Sequence, residues 1–208
     1  EWPKAEERVR QYLKSPDRLV ARPGSNMAGL YHAGAEASAA PLIFFTELHC
    51  IAEPECLKEL LCYLEGKEMA GACVNTYGDY SNVFSSVEAE LFDAIFEEWI
   101  TQDTSKKVLL RGVAIKRGPY FEAGGFRERY NRLCDGLLGA RLEELGYELG
   151  YAEKAKLQHY YSTRYSQLLL PVREKVVNEC TFRLEDTTGL SSRFWGVPSD
   201  WALRQNFN

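Results

Sequence analysis

Leu42-Ile43-Phe44-Phe45-Thr46-Glu47-Leu48-His49-Cys50 decides the reading of this chain: an apolar run that stops abruptly at two residues able to hold a metal ion. Four consecutive apolar residues, Leu42 to Phe45, predict a strand covered on both faces, as in a parallel or mixed sheet flanked by helices. Residues i and i+2 of an extended chain point the same way, so Glu47 and His49 are expected to offer a carboxylate oxygen and an imidazole nitrogen to one ion. Taken alone, a Glu and a His facing water at a strand end is the plainer account of such a pair.

Working outward, Leu57, Leu60, Leu61 and Leu64 recur at helical spacing, with Pro54 in the first turn and Glu53 and Glu55 at its positive end. Upstream, Ala28 to Ala40 is rich in small residues and suits a helix lying close on a sheet. Arg18 to Ala21 reads as a short strand, and Arg22-Pro23-Gly24-Ser25-Asn26 as a turn. An amphipathic helix is expected before it, over 1–14. Downstream, Gly71 to Asn75 and Val108 to Ile115 read as strands, and Tyr77 to Asn82 as a polar loop. Helices are expected over 86–100, 131–145 and 168–180, with Gly146 stopping the second. Residues 1–160 are expected to form one domain, and 161–208 a C-terminal helical extension ending in the aromatic stretch Phe194 to Trp201.

At 208 residues the chain can bury a sizeable core, and a 45% hydrophobic, 26% charged composition is that of a globular protein. A formal charge of -5 argues against a general nucleic-acid binder. No apolar run reaches the ~20 residues needed to span a bilayer. The six cysteines form no CxxC pair and no zinc-type spacing, which fits reduced thiols in the cytoplasm.

The collinear order of several motifs resembles the inverting family-2 glycosyltransferases over roughly residues 25 to 160. In that family a small-residue helix carrying Arg-Asn and Gly leads into a strand ending in Asp-x-Asp. Here Tyr31-His32 stands at the Arg-Asn positions, Gly34 at the Gly, and Glu47-x-His49 at Asp-x-Asp. Gly124-Gly125-Phe126 with Glu128 is similar to the family's Gly-Gly-Phe-Asp-Glu signature. Cys134-Asp135 is similar to the Glu-Asp pair that carries the catalytic base, its first acid replaced by a thiol. Tyr151 to His159 resembles the closing strand with its terminal His. The family's opening strands, which build the nucleotide pocket, have no counterpart before residue 25, so a piece of a longer protein or a shortened member is expected.

The resemblance implies a glycosyltransferase-A α/β fold, with a mixed, mostly parallel sheet flanked by helices. It implies Asp135 as catalytic base, Glu47, His49 and His159 as ligands of Mn²⁺ or Mg²⁺, and Gly124, Gly125 and Phe126 against the acceptor. His32 and Arg141 are expected at the nucleotide or its phosphates. The implied partners are a nucleotide-sugar donor and a glycan, polysaccharide or lipid-linked acceptor, met from the cytoplasm at the inner face of a membrane when the acceptor is a lipid. The changed acids and the missing strands favour an alternative: an inactive transferase-like domain that binds carbohydrate or another subunit. A metal-dependent hydrolase using Glu47, His49 and His159 is a weaker third reading, since no His-x-x-x-His helix is present.

Overall fold

The computed structural model describes residues 2–79, 81–101, 104–105, 107–161 and 164–190. In chain order the elements are α1 (Trp2–Arg10), α2 (Met27–Ala37), β1 (Leu42–Thr46), β2 (Cys50–Ala52), α3 (Cys56–Leu64), β3 (Gly71–Asp79) and α4 (Val83–Trp99). There follow β4 (Ile100–Thr101), β5 (Thr104–Ser105), β6 (Gly112–Lys116), α5 (Arg117–Glu122), a 3-10 segment over Glu128–Leu133, α6 (Cys134–Glu144), β7 (Leu149–Tyr160) and α7 (Tyr165–Glu185). The aromatic stretch after residue 190 lies outside the described residues.

Among the described residues seven strands form one sheet in the order β1-β6-β3-β7-β5-β4, with β2 also paired to β7. Side-chain alternation splits its core into two faces. Ile43, Phe45, Cys73, Val113 and Ile115 point to the face covered by α2, α5 and α6, while Ala72, Val74, Ala114 and Leu157 point to the face covered by α3. Tyr120, Phe126 and Leu138 complete the first layer, and each such buried large side chain contributes roughly 1.5–3 kcal/mol. Central strands come unusually close at Gly71, where a Cβ would stand 2.0 Å from the Ala114 carbonyl oxygen.

Strand β1 is an edge strand with burial on alternate residues, so Ile43 and Phe45 are buried while Leu42 and Phe44 are only partly covered. The expectation of a mostly parallel sheet is corrected: of the six pairings only β3 with β7 is parallel. An apolar run reports that helices cover both faces of a sheet, and it carries no information about strand direction. Arg18 to Ala21 forms no strand, and β3 runs on through Asp79 where a polar loop was expected. The reason is the length of β7, whose residues Lys156 to Tyr160 hold Asn75 to Asp79 in register.

The helix at Cys56 begins after Pro54, with Glu55 at its N-cap, and only Cys56 and Leu60 are buried on it. Leu57 and Leu61 face outward. Helix α7 packs on the 3-10 segment and α6 through Phe182, which shares a cluster with Tyr130, Leu133, Leu137 and Leu190. Glu185 ties the same surfaces together, accepting from Arg129 Nε and from the Tyr130 hydroxyl, each at 2.8 Å.

Candidate functional site

Strands β1, β3 and β7 run in the same direction, since β6 is antiparallel to both β1 and β3 while β3 is parallel to β7. Their carboxyl ends therefore share one end of the sheet, where ligands of open α/β sheets usually bind. A cleft of about 400 Å³ opens there. Its floor comes from Glu47, His49 and His159 at these strand ends, Leu109 to Arg111 just before β6, and Asp135 in the first turn of α6. Its walls come from α4, through Glu88 and Phe92, and from α7, through Pro171, Val172 and Lys175.

Glu47 and His49 do not converge as strand neighbours, which corrects the i, i+2 argument. Strand β1 ends at Thr46, and the chain turns with the Cys50 amide donating to the Glu47 carbonyl at 3.1 Å. Cys50 then pairs opposite His159, and the Tyr160 amide donates to the His49 carbonyl at 3.0 Å. The turn and this pairing together bring the three side chains to one point. His49 Nε2 and His159 Nε2 lie 3.0 Å apart, and Glu47 Oε2 is 3.5 Å from each.

These separations can be tested against an ion. Imidazole nitrogens and carboxylate oxygens sit about 2.1 Å from a small divalent cation, so neighbouring donors are about 3.0 Å apart in an octahedron and about 3.4 Å in a tetrahedron. The donor set fits one ion, and it is a group of the composition that can hold one. Two imidazoles with one carboxylate suit Mn²⁺ or another transition metal better than Mg²⁺. Without an ion the two Nε2 atoms are within hydrogen-bond distance of each other, the donor set by the tautomer.

Electrostatics distinguish the three groups. Burial pushes the His159 imidazolium pKa down, so at 3% exposure the ring is held neutral, the form that ligates metals. Burial would raise the Glu47 carboxyl, but the hydrogen bond from His159 and the fields of His49, His159 and Arg111 outweigh it and hold the group below its ordinary value. His159 Nδ1 is buried with no hydrogen-bond partner among the described residues. Most metal-bound histidines have such a partner to orient the ring; here packing against Tyr161, with centroids 4.5 Å apart, holds it.

Asp135 shares the cleft. Its Oδ1 accepts from the Gly136 amide at 2.8 Å, and burial raises its pKa against the opposing field of Lys175. Its neighbour Cys134 is buried, which pushes the thiol well above its ordinary pKa, so this position is uncharged.

Arg111, Arg132 and Lys175 also line the cleft and were not singled out from the sequence. Arg111 is fixed in place: its guanidinium lies 3.5 Å over the Phe92 ring and donates to the Tyr161 hydroxyl at 3.0 Å. Arg111 opens the stretch that leads to Gly124-Gly125, and a cation directly before a strand was the one available signal. Arg132 and Lys175 are brought in by packing of α7, which has no sequence signature.

Other expected site residues lie elsewhere. His32 borders a separate cavity of about 200 Å³ with Phe126, and its Nδ1 is 3.1 Å from the Tyr120 hydroxyl. Gly124 and Gly125 have φ of 82° and 58°, forming a turn that drives Phe126 into the core against Phe45. Arg141 is lodged near Arg127, Glu144 and Asp186, and its Nε has no hydrogen-bond partner among the described residues; burial and then Arg127 lower its pKa. None of these five residues lines the cleft described above. Glu128 is structural, accepting from the Asn26 amide at the start of α2.

No family model matches the chain, and no curated protein matches it in sequence. The fold does recur among solved structures. One is the structure of GalNAc-T7 with UDP, GalNAc and Mn²⁺, superposed with a TM-score of 0.59 at 12% identity. The superposition covers 85% of this chain and 39% of that one, so the chain spans about two fifths of the length of the protein it resembles. At that identity the likeness shows the fold: a glycosyltransferase-A-like α/β domain. Among the described residues no helix is long and apolar enough to cross a membrane.

Proposed function

We propose that the protein transfers a sugar from a nucleotide-sugar donor to a hydroxyl acceptor, with inversion and with the help of a divalent cation. The observation that carries this reading is the meeting of Glu47, His49 and His159 with Asp135 and Arg111 in one cleft, at the strand ends of a glycosyltransferase-A-like fold. The neighbour of that fold binds UDP and Mn²⁺, which supports the same ligand classes for this chain.

Glu47, His49 and His159 would hold the ion. When bound, the ion supplies positive charge to a departing diphosphate. Arg111, stacked on Phe92, adds a fixed guanidinium beside it, suited to paired phosphate oxygens. Asp135 takes the proton of the attacking hydroxyl; burial raises its basicity, and general-base assistance is worth about 10²–10⁴ in rate. One carboxylate acting as base on the acceptor side is the requirement of direct inverting displacement. His32 and the Gly124-Gly125-Phe126 turn then serve by shaping the layer that supports Phe45 and the strand end.

A binding module is the second reading. The 3.0 Å imidazole contact with Glu47 alongside lets the two Nε2 atoms and the carboxylate partner one another without an ion. Calorimetric titration with UDP, with and without Mn²⁺, separates the two. Transfer requires Mn²⁺-dependent UDP binding; no nucleotide binding under either condition leaves the module reading.

A further inference from the structure

We propose that the acceptor is a hydroxyl-bearing anionic phospholipid, its phosphate held by Lys175 and Arg132, its hydroxyl facing Asp135 and its chain lying along α7. This rests on the transfer reading above and names the substrate class of the same cleft.

The lining of the cleft carries the argument. Among the described residues that line it, eight of fourteen are ionisable and the other six are apolar. The Phe92 ring in this lining has one face covered by Arg111. What remains is charge set in hydrocarbon, a surface complementary to an amphiphile.

The three cations fall into two groups. Arg111 acts on Glu47 and His159, at the metal-ligand end. Lys175 is the chief cationic influence on Asp135, and Arg132, three residues before Asp135 in the chain, also lines the cleft with its Nε paired to Glu174 at 3.0 Å. The ion and Arg111 answer a diphosphate, which leaves Lys175 and Arg132 beside the base for a second anionic group. A phosphate accepts charge-assisted hydrogen bonds from both.

The hydrocarbon has a direction. Pro171, Val172 and Lys175 line the cleft from α7, and Leu169 and Val176 lie three residues before and four after Val172 on the same side of that helix. Leu169, Val172 and Val176 are 47%, 53% and 56% exposed, so an apolar strip leaves the cleft beside Lys175 and continues over the surface. An acyl chain laid along the strip is stabilised by removing that apolar surface from water. In the step itself, Asp135 accepts the hydroxyl proton, the hydroxyl oxygen bonds to the anomeric carbon, and the diphosphate leaves with the electron pair of the broken bond.

Binding of dihexanoyl phosphatidylglycerol below its micelle concentration tests this directly. Glycerol phosphate serves as head alone, dihexanoyl phosphatidylcholine as the chain without net charge, and hexyl glucoside as a neutral sugar amphiphile. The anionic lipid should bind at least tenfold more tightly than any of the three, and Lys175→Glu and Val172→Asp should each weaken it about tenfold. Both residues are exposed, and unchanged thermal melting would show that the variants fold. Equal binding of phosphatidylcholine or hexyl glucoside, equal binding of glycerol phosphate, or variants that bind the lipid like wild type would each overturn the proposal. If UDP binds with Mn²⁺ and the lipid does not, this inference alone falls; if the lipid binds and UDP does not, the lipid site stands and the transfer reading falls.

Discussion

Replacing His49 by Ala separates a metal ligand from an ordinary surface histidine. The side chain of His49 is 52% exposed, and its ring rests against only Glu47 and His159 among the contacts described. Its loss without metal should therefore change stability by no more than about 0.5 kcal/mol, the range of surface substitutions. Metal linkage changes the outcome. An ion that binds only the folded chain stabilises it by about 2.7 kcal/mol at a concentration one hundred times its dissociation constant. Losing one of three protein ligands should weaken binding at least as much as losing an orienting partner does, about 10- to 100-fold. At the hundredfold limit the same concentration only equals the dissociation constant, and the gain drops to about 0.4 kcal/mol. For a chain of this size 1 kcal/mol corresponds to about 2–4 °C, so saturating Mn²⁺ should raise the wild-type melting temperature by about 5–11 °C and that of the variant by about 1–2 °C. Circular dichroism melting with and without Mn²⁺, and with chelator as control, reads both numbers. An equal shift in both proteins, or no shift in wild type, would refute the ligand assignment.

Asp135→Asn should leave UDP binding intact and lower the turnover of sugar nucleotide about 10²- to 10⁴-fold, with stability unchanged or slightly improved because a charge that burial disfavours is gone; a turnover near wild type removes Asp135 as base. Gly71→Ala places a Cβ 2.0 Å from the Ala114 carbonyl oxygen and 2.8 Å from Ile115 Cα, both backbone atoms of β6, so urea unfolding should show a loss of about 3 kcal/mol or more. A loss under about 0.5 kcal/mol would mean that the strands are not so closely paired. Glu185 is held at about pKa 2, below its ordinary 4.5, by Arg129 and then Tyr130. Its contribution is present above pH 4.5 and fades as pH falls towards 2, so the stability deficit of Glu185→Gln should vanish over that window; a deficit that persists at pH 2 contradicts the pairing.

The sequence was legible where local pattern and burial agree. Leu42 to Phe45 forms a strand, Met27 to Ala37 a small-residue helix, and Gly146, with φ of 78°, ends α6. The collinear motifs also named the four side chains that share the cleft, Glu47, His49, Asp135 and His159. They did so for an incomplete reason, because the turn over Glu47 to Cys50, and not strand pleating, aims the first two. Strand direction was illegible, since an apolar residue packs equally well in either orientation. The Gly124-Gly125 turn was recognisable, yet where it lies depends on Tyr120, whose hydroxyl accepts from the Phe126 amide at 3.1 Å. Lys175 and Arg132 reach the cleft through contacts between α7 and the 3-10 segment, some forty residues apart in sequence, and no periodicity encodes that docking.

The pairing of Cys50 with His159 joins points 109 residues apart, so Glu47, His49 and His159 cannot meet until the last strand has been added to the sheet. Closing so long a loop is entropically costly and comes late in folding. An ion bound there would be taken up only by a chain that has already completed its sheet, and would slow unfolding rather than seed folding. During synthesis a ribosome-bound chain would remain without its ion until His159 had emerged, which would make metal retention a signal that the sheet through β7 has been made.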